Sequence, residues 1–72
     1  MAVDIRQYTR VIIRKNGEYL FGMNAMTNMA EWRKSPFDAW YTRDKEEAMA
    51  IARITGGVMM LFNPVVGQIK IM

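Results

Sequence analysis

Two apolar runs, residues 8–14 and 19–23, flank the polar tetrad Lys15-Asn16-Gly17-Glu18. The first run is rich in β-branched residues and the second is aromatic and aliphatic, so both favour strands. Asn16 and Gly17 tolerate the positive φ of a two-residue type I′ turn, which predicts a β-hairpin. That turn sets a register: Lys15 opposite Glu18, Arg14 opposite Tyr19, Ile13 opposite Leu20, Ile12 opposite Phe21, and Val11 opposite Gly22. One face then carries Val11, Ile13, Leu20 and Gly22, suited to lie under a helix. The other carries Arg10, Ile12, Arg14, Tyr19, Phe21 and Met23.

The period changes at Asp44. Ala48, Ile51, Ala52 and Thr55 recur at helical spacing and form a narrow stripe of mostly small residues. Asp44 is placed to accept from the free N–H groups of the first turn, and Glu47, three residues on, to reach back as a capping box. Gly56 supplies the left-handed residue that closes such a helix. The pattern predicts a helix over 45–55, running into an apolar strand over 58–62.

Between these signals, residues 24–36 read as a polar, irregular connection holding Met26, Met29, Trp32, Arg33 and Lys34, with room for a short strand within 30–34. Residues 37–42 read as a strand with Ala39 and Tyr41 on one side and Trp40 and Thr42 on the other. Residues 63–67 form a five-residue turn, and 68–72 close a second hairpin. The order is ββ(β)αββ: an α+β domain with a mostly antiparallel sheet of four to five strands and one packed helix. No linker, repeat or low-complexity tract divides the chain. Residues 1–72 are expected to form one domain, with 1–7 a partly disordered N-terminal arm.

Composition narrows the chemistry. The chain has 72 residues, is 51% hydrophobic and has 8 Met, enough for one adaptable core. With no Cys it has no disulfide or thiolate chemistry, which is compatible with a reducing cytoplasm. No segment reads as a signal peptide or a membrane span, so a cytoplasmic location is expected. The net charge of +3 comes from the first half, where Arg6, Arg10, Arg14, Lys15, Arg33 and Lys34 face three acids. A polyanion partner is permitted by this excess but not demanded.

Catalysis has little to work with. With no His or Cys, the commonest general base and the usual structural zinc ligands are missing. Asp44, Glu46 and Glu47 are accounted for by the helix start. Gly56-Gly57 lies at a helix C-terminus, where the dipole disfavours the anion that a phosphate loop would hold. No catalytic, cofactor-binding or metal-binding residue is expected. Trp40 reads as core. Trp32, beside Arg33 and Lys34, reads either as an exposed partner-binding anchor or as a plug at the open end of the sheet. Arg10 and Arg14, interleaved with Tyr19 and Phe21, form a second candidate surface, or a solvated face whose arginine stems cover the rings.

Three stretches, 32–40, 42–48 and 56–67, contain Trp32-Arg33-Lys34-Ser35-Pro36-Phe37, the Asp44-led helix start and the Gly56-Gly57 exit. Together they resemble small proteins encoded in phage and prophage regions of Gram-positive bacteria. The resemblance implies a cytoplasmic accessory protein without enzyme activity, and it carries over no site residue. The expected function is non-catalytic binding through protein–protein contact. The alternative is a small basic nucleic-acid-binding module using the six basic residues of the first half. A homodimer through the strand 68–72 is compatible with its apolar character, although Lys70 would guard such an edge.

Overall fold

The computed structural model describes residues 9–72; the arm read over 1–7, and with it Arg6, lies outside the described residues. The elements are β1 (Arg10–Lys15), β2 (Glu18–Asn24), β3 (Met29–Arg33), α1 (Lys45–Thr55), β4 (Val58–Asn63) and β5 (Gln68–Ile71). Among the described residues these five strands form one antiparallel sheet of order β3-β2-β1-β4-β5, and α1 is the single α-helix. This is the α+β fold expected from the sequence, with the short third strand present.

Side-chain chemistry closes each hairpin. Asn16 and Gly17 have φ of 53° and 77°, and Lys15 and Glu18 pair across the turn. The other two hairpins share one device. Asn24 Oδ1 accepts from Met26 and Thr27 N–H, and Asn28, with φ 56°, donates its N–H to the Asn24 carbonyl at 2.7 Å. Asn63 Oδ1 accepts from Val65 N–H, and Gly67, with φ 69°, donates to the Asn63 carbonyl at 2.8 Å. Each Asn mimics a turn with its own side chain. Asn63 belongs to β4, so the loop is 64–67 rather than the five residues expected.

The first hairpin keeps its expected register but pairs over a shorter length than expected. Registered pairing of β1 with β2 covers only Arg14↔Tyr19 and Lys15↔Glu18. Beyond them another part of the chain enters: Trp40 N–H donates to the Leu20 carbonyl at 2.7 Å, and Val11 and Thr42 exchange hydrogen bonds at 2.9 and 3.1 Å. The strand expected over 37–42 is therefore a 3₁₀ turn, Pro36–Asp38, followed by an extended wedge. Ser35 and Pro36 explain the turn. The Ser35 hydroxyl accepts from Phe37 N–H at 3.2 Å, and proline suits the first helical position. The expected alternation within the wedge holds: Ala39 joins one core cluster and Trp40 packs on the other.

A bulge corrects the faces of β2. Leu20 pairs with Trp32 but Gly22 pairs with Glu31, leaving Phe21 as the extra residue. One extra residue inverts everything after it. Gly22 therefore shares a face with Glu31, and Met23 shares the helix side with Ala30, the reverse of the expected assignment.

Both faces of the sheet are core. Under α1 lie Val11, Ile13 and Leu20, which meet the fully buried Ala48 of the helix, with Trp32, Trp40, Ile51 and Leu61 packed around them. On the opposite face Ile12, Tyr19, Ala39, Met60 and Phe62 form a second buried cluster. Phe37 meets Phe62 edge-on, with centroids 5.1 Å apart and planes at 85°. The 3₁₀ turn and the wedge thus cover part of the face expected to be solvated.

The helix ends are built largely as expected. Asp44 Oδ1 accepts from Glu46 N–H at 3.0 Å and Glu47 N–H at 3.4 Å. Glu47 does not reach back; the Thr42 hydroxyl accepts the Asp44 N–H at 3.0 Å instead. Gly56, with φ 73°, is left-handed, and it and Gly57 both donate to the Ala52 carbonyl. Lys15 Nζ donates to the Thr55 carbonyl at 3.1 Å, so the first hairpin's tip also caps the helix. Asp44→Ala is expected to cost about 1 kcal/mol in urea denaturation, and a cost near zero would show that Thr42 alone secures the helix start.

Candidate binding surface

The face opposite α1 collects arginines over aromatic rings. Across the strands, Arg33, Tyr19, Arg14 and Val58 form one row, through Arg33↔Tyr19, Tyr19↔Arg14 and Arg14↔Val58. Opposed residues in antiparallel strands share a face, so both guanidinium groups stand on the same side of the sheet. Arg10, four residues before Arg14 on β1, shares that side by the two-residue period.

Each arginine has its own ring. The Arg10 guanidinium carbon lies 4.0 Å from the Tyr41 ring centroid, that of Arg33 lies 4.2 Å from Phe21, and that of Arg14 lies 5.9 Å from Tyr19. At an exposed site a well-stacked pair contributes about 0.5–1 kcal/mol, and the attraction fades near 6 Å. Arg10 and Arg33 are therefore held over their rings, while Arg14 is the freest of the three. Phe21, two residues after Tyr19, shares the side of Arg33 by the two-residue period, and the bulge inverts only the residues that follow it. Tyr41 is the partner that sequence reading missed; its signal was the alternation of Ala39 and Tyr41.

The local acid does little to cancel the charge. Glu31 lies 3.7 Å from Arg33, but both side chains are about two-fifths exposed, where such a pair contributes about 0–1 kcal/mol. Glu31 also accepts from Asn24 Nδ2 at 3.0 Å, which ties it to the turn. The Arg33 Nη1 group donates to the Trp32 carbonyl at 3.1 Å. Arg10 Nε is buried and has no hydrogen-bond partner among the described residues.

The expected Trp32-Arg33-Lys34 surface is divided between faces. Trp32 is half-buried on the helix side and packs against the cluster under α1, whereas Arg33 is exposed on the other side. Lys34 is exposed just beyond β3. Arg33 is instead grouped with Arg10 and Arg14, which joins parts of the two candidate surfaces. On the helix side, α1 packs on β1 and β4. A trough remains over the β2–β3 hairpin: an open concavity of about 370 Å³ bordered by Met23, Met29, Ala30, Trp32 and Ile54.

Among the described residues no three His, Cys, Asp or Glu side chains converge as metal ligands would. No described helix is long and apolar enough to cross a membrane. No family model, curated protein or solved structure matches the chain.

Proposed function

We propose that this chain is a non-catalytic binding module that contacts an acidic protein partner through the arginine–aromatic face. The observation that carries the reading is the placement of Arg10, Arg14 and Arg33 on one side of the sheet, each over a ring. Stacked guanidinium groups keep their N–H edges for carboxylates while their planes rest on apolar area, a combination common at protein interfaces. The absence of His and Cys supports a role without catalysis. The accessory role in a phage or prophage setting belongs to the same reading and rests on the resemblance of residues 32–40, 42–48 and 56–67.

A nucleic-acid partner is the second reading, favoured by the exposed rings of Phe21 and Tyr41 beside Arg33 and Arg10. Rings beside cations stack bases and neutralise phosphates. The modest net charge of +3 favours protein. Amide signals of Arg14, Tyr19 and Arg33, followed while a Glu-rich decapeptide or a ten-residue oligothymidylate is added, separate the two. The peptide is expected to shift all three signals. A response to the oligonucleotide alone, falling steeply with salt, would replace the protein reading with the nucleic-acid one. No response to either ligand would remove both.

A further inference from the structure

Among the described residues β3 is an edge strand of the sheet, and the side it leaves open can be read from the hydrogen bonds behind it. The Leu20 carbonyl accepts from Trp40, so at Leu20 the backbone of β2 points away from β3. Leu20 pairs with Trp32. In an antiparallel ladder both members of such a pair turn their N–H and C=O groups away from each other. The backbone groups of Trp32 therefore face outward, as do those of Ala30 two residues earlier. Arg33 Nη1 on the Trp32 carbonyl fits this reading, because a side chain has taken an acceptor that no described strand uses.

The two residues with outward backbone also carry the apolar side chains. Ala30 and Trp32 lie on the helix side and border the trough that reaches Ile54. Between and beyond them, Glu31 and Arg33 lie on the opposite side, followed by Lys34. The edge thus offers backbone hydrogen bonds at alternate residues, apolar contact on one side, and positive charge at its C-terminal end.

We propose that β3 accepts an extended peptide as a sixth, antiparallel strand, and that the peptide begins with acidic residues and continues with alternating apolar ones. Its residues opposite Trp32 and Ala30 are apolar and deepen the cover over the trough. Its residue opposite Arg33 is acidic, with a second acid reaching Lys34. Its residue opposite Glu31 is neutral, such as Thr, because like charges directly opposed are destabilising. Backbone pairing supplies affinity and the alternate side chains supply selectivity. A second copy of β3 is a poor occupant, since the register of fullest overlap sets Glu31 against Glu31. The proposal rests on the module reading above and names its partner.

The test uses the whole chain and two hexapeptides of sequence Glu-Asp-Val-Thr-Val-Ser. One is unmodified; the other is N-methylated at both valines, the positions that pair with Trp32 and Ala30. The unmodified peptide is expected to bind, and methylation to weaken it by about tenfold or more through lost backbone hydrogen bonds. Amide exchange at Ala30 and Trp32 should slow on binding while that of Glu31, already paired with β2, stays unchanged. Arg33→Glu should weaken this peptide and strengthen one beginning Lys-Lys, a reversal that a merely damaged fold would not produce. Equal binding of both peptides would overturn strand addition while leaving the acidic-partner reading intact. Failure of the unmodified peptide, with the Glu-rich decapeptide still shifting Arg14, would do the same. Slow exchange at Ala30 and Trp32 in the peptide-free chain, growing with protein concentration, would assign the edge to a second copy and end the proposal.

Discussion

Phe62→Ala is expected to cost about 3–5 kcal/mol, the range for truncating a fully buried aromatic side chain. Phe62 is 1% exposed and packs with Ile12, Tyr19, Ala39 and Met60 on the face opposite α1. Phe37 adds an edge-on contact. A domain of this length has about 4–11 kcal/mol of total stability, so this one change should leave the chain close to unfolding at room temperature. Urea denaturation measures it directly. Phe37→Ala is the control: the residue is 60% exposed, so its loss should be much smaller. A cost below about 1 kcal/mol for Phe62→Ala would mean that the second face is solvated surface rather than core.

That second core was only partly legible in the sequence. The two-residue period correctly put Ile12 and Tyr19 on the side of Arg10 and Arg14, and two arginines made the side look solvated. The residues that bury it are distant in sequence: Phe37 and Ala39 arrive through the 3₁₀ turn, and Met60 and Phe62 from β4. Local signals were read well because their causes are local. Asn16-Gly17 dictates its turn, Asp44 its cap and Gly56 its helix end, whatever the rest of the chain does. The wedge at Trp40–Thr42 was hidden because it replaces one set of backbone partners with another, and an extended segment looks the same whether its neighbour is β2 or Val11. The Phe21 bulge was hidden for a related reason. It depends on the pairing of β2 with β3, and a one-residue slip leaves no mark in composition.

The candidate surface shows the same division. Arg10, Arg14 and Arg33 were recognisable as residue types suited to binding, but residues 24–36 were read mainly as an irregular connection. Once Met29–Arg33 is a strand, neighbours must point to opposite sides, so Trp32 and Arg33 cannot share one surface. The tryptophan packs toward the helix-side core, and the arginine joins a row that includes Tyr19 and Arg14. What sequence reading assigned to one loop is a property of two faces of one edge strand.

Gly57→Ala is expected to destabilise the chain by about 1–3 kcal/mol, the range for overpacking a filled core. A Cβ at Gly57 would run into Ile13 Cγ2, and would also lie 3.2 Å from the Arg14 carbonyl and 3.3 Å from Thr55 Oγ1. Ile13 is fully buried and the carbonyl is backbone, so neither can easily yield. The glycine is needed here for space: Gly57 is where the chain leaves α1 and enters β4 against β1, so an added methyl group pushes the helix end off the sheet. It would also strain the Gly57 hydrogen bonds to the Ala52 carbonyl at 3.1 Å and the Thr55 hydroxyl at 3.3 Å. A double-mutant cycle isolates the contact. Ile13→Leu keeps the side-chain volume but moves the branch from Cβ to Cγ, removing the methyl that Gly57 faces. Ile13→Leu alone should cost under about 1.5 kcal/mol. In the Gly57→Ala background it should cost less still, or restore part of the loss, because neighbouring changes that share one contact are not additive. Urea midpoints of the four proteins decide the matter. Additive costs would show that the helix end tolerates the methyl and that the destabilisation arises elsewhere.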